Sequence, residues 1–388
     1  MLIINKFNND KSKILSASSF WVNTDKGKFL DITCGNTAYI FGYTNDSIFK
    51  KMSEVQQEIP FSLDQSCSYE DDLVTKICEG TDFVSAAWAI SGSDGVEVAI
   101  YTNDNYWKQK GEYKPKVLTF NPNYHGSTYL PQIFRQDYKD TNRCTVVDGP
   151  GWTNIEDREE LENLCLERVR KELEDTQIGA VLMEGAPWTE RFRPWSENWW
   201  KQIRQICDDF GINLIVDDIF AGMGKAGHKF THQNYNITPD IACLGKSLTN
   251  GFSPLSCACA TAKITEYAAN DFEYSHTWSP NMAGIGAGLG VFELFDTSQI
   301  EQVSIRLEKI GKKLKEDGLV TQITRQGLLM QIDLTHSYER TILQSYNING
   351  FIKNGKIPAI LICAPANATE EFFTELETRL TKALNDKL

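Results

Sequence analysis

The sequence predicts an α/β protein: a large domain with a mostly parallel sheet covered by helices, and a smaller α+β domain. Two observations carry this. From Phe83 through Ser256, short apolar runs of strand length alternate with longer segments of helical spacing, the pattern of a parallel sheet with crossover helices. Beyond residue 296 that rhythm gives way to an amphipathic helix at 300–316, strands near Leu328–Leu334 and Ala359–Cys363, and a last helix over Glu370–Leu384. A chain of 388 residues exceeds the usual size of one domain. The expected division sets an N-terminal segment, 1–45, with a C-terminal small domain, 296–388, around a large domain, 46–295.

In chain order, Phe20-Trp21-Val22 and Phe29-Leu30-Asp31-Ile32 flank Asp25-Lys26-Gly27 and read as a hairpin. The stretch CGNTAYIFGYTND, 34–46, is either a surface loop packed on the body or a loop lining a pocket. Asn45 to Glu79 is helical, with Ile48, Met52 and Val55 on one stripe. Phe83–Ile90 is a strand running into Ser91-Gly92-Ser93-Asp94-Gly95, and Val96–Trp107 is a helix. Strand, Gly/Ser turn and helix together aim free backbone N–H groups at an anion, although a simple N-capped turn has the same look.

Lys116–Phe120 is a strand ending at NPNYHGST, 121–128, where Tyr124 and His125 stand at a strand end. Residues 155–175 read as a charged, solvated helix. Gly179–Met183 is a strand ending at Glu184, and Trp195–Phe210 an amphipathic helix; the tryptophans between Trp188 and Trp200 fit a pocket lining or a core equally. Ser279–Phe295 is a helix whose Gly284, Gly286, Gly288 and Gly290 imply close approach of another backbone. Their spacing is not a dinucleotide fingerprint.

Composition narrows the function. A hydrophobic share of 41% and a charged share of 23% are those of an ordinary globular protein. A net charge of −13 disfavours nucleic acid as a partner, so a phosphate would need a local cradle of backbone dipoles. The N-terminus lacks the apolar core of a signal peptide, and no run is long enough to span a bilayer. Ten scattered cysteines without a C-x-x-C pair are expected to be reduced and mostly buried, in the cytoplasm.

The chemistry concentrates in Gly211–Ser256. An apolar run, Ile212–Val216, stops at Asp217 and Asp218; a second ends at Gly245-Lys246-Ser247. A carboxylate at one strand end and a lysine on the turn after the next suit pyridoxal phosphate. The carboxylate keeps the ring nitrogen protonated and the lysine forms a Schiff base with the aldehyde. Glu184 falls at a third strand end, and ligand sites of open α/β sheets lie beyond such ends. Two rival motifs fail. Gly245-Lys246-Ser247 matches the tail of a phosphate-binding loop, but Asp240 stands where its first glycine belongs. His228 and His232 have metal-pair spacing without the following glutamate.

These residues, as an ordered set, resemble the class III (omega-type) aminotransferases, of the aspartate-aminotransferase fold type I, over nearly the whole chain. The family's D-E-V/I, G-x-G-R-T-G, P-D and small-flanked lysine stand here as Asp217-Asp218-Ile219, Gly222–Gly227, Pro239-Asp240 and Lys246. Its phosphate turn corresponds to Ser91–Gly95, its Y-H-G to Tyr124-His125-Gly126, its E-P to Glu184-Gly185, and its T-F-x-G-N to Thr277–Asn281. The run PDIACLGKSLTNGFSPLS resembles the diaminopelargonic acid aminotransferases.

The resemblance implies a homodimer with active sites at its interface, acting on a small-molecule amine donor and a carbonyl acceptor. Lys246 and Asp217 would be catalytic. Gly92, Ser93, Tyr124, His125, Glu184, Asp217, Ile219 and Lys246 would bind the cofactor, with Ile219 and Tyr124 sandwiching its ring and Thr277 reaching the neighbouring subunit's phosphate. Two departures stand out: Phe220 replaces a glutamine or small residue, and Leu361 falls where an arginine usually grips a substrate carboxylate. The second implies a substrate without a nearby carboxylate, or one bound by another residue such as Arg191 or Arg193. Aminomutases and decarboxylases share this cradle and are the alternative reactions. A non-catalytic relative serving as a partner protein is the alternative of another kind.

Overall fold

The computed structural model describes residues 12–61, 65–135, 140–151, 154–187, 189, 192–339, 341–353 and 357–386. Three sheets organise them. The largest has seven strands: β4 (Phe83–Ala89), β5 (Lys116–Asn121), β6 (Cys144–Asp148), β7 (Ile178–Glu184), β8 (Asn213–Asp217), β9 (Ile241–Leu244) and β10 (Ser256–Thr261). Their order is β4-β10-β9-β8-β7-β5-β6. β5 to β9 run parallel, and β10 is antiparallel to both β9 and β4. Every residue of β7, β8 and β9 is buried, the condition of strands covered on both faces and the reason they read as apolar runs. β6 and β10 are strands that apolar run length alone had not marked.

The eight longer helices among the described residues are α1 (Asp46–Glu58), α2 (Ser68–Cys78), α3 (Gly92–Gln109), α4 (Arg158–Glu172), α5 (Glu197–Asp209), α6 (Met282–Leu294), α7 (Thr297–Glu316) and α8 (Glu370–Asn385). The glycines of α6 serve close approach, as their spacing implied. A Cβ on Gly286 would lie 2.7 Å from Met52 Cα, and one on Gly290 would lie 2.9 Å from Ile48 Cα, so α1 and α6 meet nearly backbone to backbone.

One helix departs from expectation. α4 is not simply a solvated element: Glu162, Cys165, Leu166 and Val169 are buried. Glu162 is fully buried because its carboxylate accepts the backbone N–H of Ser196 at 3.1 Å and the Ser196 hydroxyl, fixing the residue that caps α5. The tryptophans also divide. Trp199 and Trp200 are core, fully buried, with Trp199 stacked on Trp195 at 4.2 Å between ring centres. Trp188 lies outside the described residues.

The remaining sheets carry the chain ends. β1 (Ile14–Ser18), β2 (Trp21–Thr24) and β3 (Gly27–Asp31) form a meander whose β2–β3 hairpin is the one predicted, and β3 pairs in parallel with β13 (Ile348–Asn349). β11 (Val320–Gln326), β12 (Leu329–Leu334), β15 (Ala359–Cys363) and β14 (Ile352–Lys353) make the third sheet in that order. Backbone bonds from Cys363 N to Ile32 O, 2.7 Å, and from Ala366 N to Ile40 O, 2.8 Å, tie the end of β15 to the segment after β3. That segment is thereby held over the carboxyl ends of the large sheet.

Candidate active site

The register of the large sheet sets the first three groups side by side. Glu184 at the end of β7 pairs with Asp217 at the end of β8, and Asp217 with Cys243 near the end of β9. Lys246 follows three residues after Cys243, on a turn entered through Gly245. The two consecutive acids take different jobs because a strand alternates its side chains. Asp218, fully buried, accepts from the backbone and hydroxyl of Thr231, and burial pushes its carboxyl up to about 7. Asp217 turns to the site: Oδ1 accepts Ile219 N at 3.1 Å, and Oδ2 accepts His125 Nδ1 at 2.9 Å.

His125 is in turn backed by Thr119, whose hydroxyl lies 3.3 Å from Nε2 and accepts from Asn123. With a carboxylate acceptor at Nδ1, that nitrogen carries the hydrogen. Glu184 Oε1 accepts Tyr124 N at 3.1 Å and the Thr189 hydroxyl at 3.0 Å. Among the described residues its Oε2 is buried without a hydrogen-bond partner, and burial raises this carboxyl to about 7 against the pull of His125. Asp217 and Glu184 also act on Lys246, whose ammonium burial disfavours while both acids favour it.

Ser91, Gly92 and Ser93 open α3, where the first N–H groups of a helix lack intrahelical partners. A Cβ on Gly92 would lie 3.0 Å from Ile219 Cγ2, and one on Gly245 3.4 Å from the same methyl. Gly92, Ile219 and the entry to Lys246 therefore meet in one cradle. A Cβ on Gly126 would lie 2.5 Å from Ser93 Oγ, and that hydroxyl accepts Ser127 N at 3.0 Å, bringing the Tyr124-His125-Gly126 turn onto the helix start. Tyr124 keeps 40% of its surface exposed, while Thr277 lies in an exposed turn.

The lysine end of the site includes residues whose role the sequence did not mark. Lys246 Nζ donates to Thr37 Oγ1 at 3.3 Å and lies 5.3 Å from the centre of the Phe220 ring. A second lysine, Lys225, is fully buried beside it. Its Nζ donates to Thr37 O and to Ser247 Oγ, the latter at 2.6 Å. Burial, reinforced by the charge of Lys246, lowers Lys225 to about 7. Of the two readings of the 34–46 stretch, the pocket lining is the one this geometry favours: Cys34, Thr37 and Tyr39 are buried. Its position followed from no local periodicity, since long-range bonds hold it there.

A separate cavity of about 60 Å³ borders the site, lined among others by His125, Glu184, Thr189, Arg193 and Trp195, but not by Asp217 or Lys246. Of the two arginines that could bind a substrate carboxylate in place of residue 361, Arg193 lines this cavity and Arg191 lies outside the described residues. Among the described residues no cluster of His, Cys, Asp or Glu is arranged to hold a metal.

The donor set fits pyridoxal phosphate: an amine of lowered basicity, a carboxylate with unused lone pairs, a helix start for the phosphate, and two glycines clearing the space beside Ile219. Comparison with known proteins agrees. The family model for class-III aminotransferases matches residues 13–384. The adenosylmethionine-8-amino-7-oxononanoate aminotransferase of Staphylococcus aureus is 25% identical over 375 residues, covering 89% of this chain and 83% of that protein. The omega-amino acid–pyruvate aminotransferase of Pseudomonas putida is 26% identical over 363 residues, 84% and 80% of the two chains. The omega transaminase of Pseudomonas jessenii, solved with PMP, superposes with a TM-score of 0.89 at 17% identity, covering 99% and 96%. The chain is thus a class-III aminotransferase of fold type I, an enzyme that transfers amino groups between small molecules with pyridoxal 5′-phosphate.

Proposed function

We propose that Lys246 and Asp217 carry the reaction, and that its substrates bear no carboxylate beside the reacting carbon. When bound, the cofactor supplies an electron sink for the carbon that loses its proton. Lys246 would be the residue that attaches it, and the free amine of the same lysine would hold and move the proton at the reacting carbon. Its lowered basicity keeps a neutral fraction available for that task. Asp217, steadied by His125, would be the carboxylate that keeps a proton on the ring nitrogen. Gly92 and Ser93 bind the phosphate, Ile219 and Tyr124 flank the ring, Glu184 borders the site beside Asp217, and Thr277 of a second subunit completes the phosphate site in a homodimer.

The observation that carries the substrate reading is the facing of β15. Leu361 and Cys363 pack with Phe220, Tyr39, Ala186 and Phe192, while Ile360 and Ile362 belong to the main core on the other side. Residues 361 and 363 therefore both face the cluster that contains Phe220, whose ring lies 5.3 Å from Lys246 Nζ, and residue 361 offers a hydrocarbon where a guanidinium would bind a carboxylate in two places. Opposite it in the ladder stands Gln331, already engaged with Phe192 N and Asp333.

The same reading divides the chain into a cofactor domain, 46–295, and a small domain built from 1–45 and 296–388. It places the protein in the cytoplasm, in keeping with ten free thiols of which eight are buried. Among the described residues no helix is long and apolar enough to cross a membrane. A donor–acceptor screen tests the substrate class. Simple amines should outperform α-amino acids, and Leu361→Arg should move the preference toward carboxylate-bearing donors by about tenfold or more in kcat/KM. Equal use of both donor classes by the wild type would overturn it.

A further inference from the structure

After Asp31 the backbone makes four consecutive left-handed steps. φ is 50° at Cys34, 60° at Gly35, 59° at Asn36 and 61° at Thr37. Three of these residues carry side chains, for which this conformation is disfavoured. The chain holds the turn with an unusual number of bonds. The Asp31 carboxylate, fully buried, accepts Thr33 N and Gly35 N at 2.9 and 2.7 Å, the Thr33 hydroxyl at 2.7 Å, and the phenols of Tyr39 and Tyr43 at 3.1 and 2.8 Å. At the other end, the carbonyl of Thr37 accepts from Lys225 and from the Ser247 hydroxyl.

The turn is also moored to the loop that bears Lys246. The buried amide of Asn250 accepts Ile40 N and Phe41 N, both at 2.8 Å, and donates to Gly42 O at 2.9 Å. Ser247, next to the lysine, bonds the Thr37 carbonyl. The outcome is at Thr37 itself. Its hydroxyl hydrogen goes to Asn36 O at 2.6 Å, so the oxygen has only lone pairs left to offer, and these meet Lys246 Nζ. An amine that gives one N–H to Thr37 has its remaining directions fixed relative to the site.

We propose that Thr37, locked on this left-handed turn by Asp31, Lys225 and Asn250, is a positioning residue for the free amine of Lys246. It holds and aims that amine in the interval when the lysine is not bound to the cofactor. The proposal rests on the assignment of Lys246 as the attachment lysine. It requires a hydroxyl at position 37, an acceptor for the lysine N–H, and not merely a side chain of that size.

The test uses the full-length protein loaded with pyridoxamine phosphate, which leaves the lysine amine free, and cyanate as the probe. Carbamylation of Lys246 is followed by peptide mass spectrometry across a pH series in the wild type, Thr37→Val and Thr37→Ser, with exposed Lys50 as internal reference. An accepted N–H favours the ammonium form, so Thr37→Val should lower the labelling midpoint of Lys246 by about 0.5–1 pH unit, and Thr37→Ser should restore it. With pyridoxal phosphate and donor, Thr37→Val should lose kcat roughly tenfold while KM changes little. Coincident midpoints in all three proteins, or a serine variant that behaves like the valine variant, would overturn the proposal. Its failure is distinct from failure of the Lys246 assignment, which shows itself separately as a wild type that forms no visible-absorbing species with pyridoxal phosphate.

Discussion

Two lysines converge on Thr37 and live by opposite rules. Lys225 is fully buried and spends its hydrogens on Thr37 O and Ser247 Oγ, inside the seam between the N-terminal turn and the lysine loop. Lys246 is partly exposed, makes one long bond to Thr37 Oγ1, and sits among Asp217, Glu184 and the Phe220 ring. Both ammonium groups are disfavoured by burial, so low basicity by itself does not separate the chemical lysine from the structural one. What separates them is access: one amine is enclosed and committed to two acceptors, and the other is partly exposed and aimed by a single bond to Thr37.

That contrast can be broken most severely at Lys246. Lys246→Ala should abolish both the visible absorbance of the cofactor-loaded protein and its turnover, with folding intact. A yellow species surviving in this variant would transfer the chemical role elsewhere, Lys225 being a second amine that bonds the same Thr37. Asp217→Asn comes next. The amide still accepts from Ile219 but carries no charge to hold a proton on the ring, so turnover should fall by about 10²–10⁴-fold while the melting temperature moves little. Near-normal kcat would remove Asp217 from the reaction.

The smallest effect belongs to Lys225→Met, which should keep the visible absorbance and reveal itself in stability against pH. Lys225 ionises near 7 when folded and at the ordinary lysine value of 10.5 when unfolded. Between those limits the unfolded chain binds more protons, so the wild type gains stability as pH rises from 7 toward 10, and below 7 the slope vanishes. Thermal melts should therefore show the wild type gaining steadily on Lys225→Met across that window, by up to about 1.4 kcal/mol per pH unit. A pH-independent difference would mean that the buried amine keeps its proton throughout.

Much of this protein was legible in its sequence because parallel strands buried on both faces cannot hide. Ile212–Val216 had to be apolar, and its stop at Asp217 marked where the strand left the core. Glu184 did the same for β7, and the glycines of α6 announced a backbone neighbour that proved to be α1. The solvated reading of 155–175 missed Glu162 because charge counts do not show which carboxylate will cap a neighbouring helix. Neither local periodicity nor composition distinguished a core tryptophan such as Trp199 from one lining a cavity such as Trp195.

The amino-acid order alone determined the alternation of strands and helices, the polar residues at their ends, and a chemistry of one lysine and one carboxylate, because these follow from local burial and from the reactivity of side chains. Only the tertiary structure decided that Thr37, 209 residues away along the chain, stands over Lys246, and that Lys225 is a fastener. Those relations depend on hydrogen bonds between segments with no shared periodicity, and on how deeply each amine is removed from water. Neither quantity exists until the chain has closed on itself.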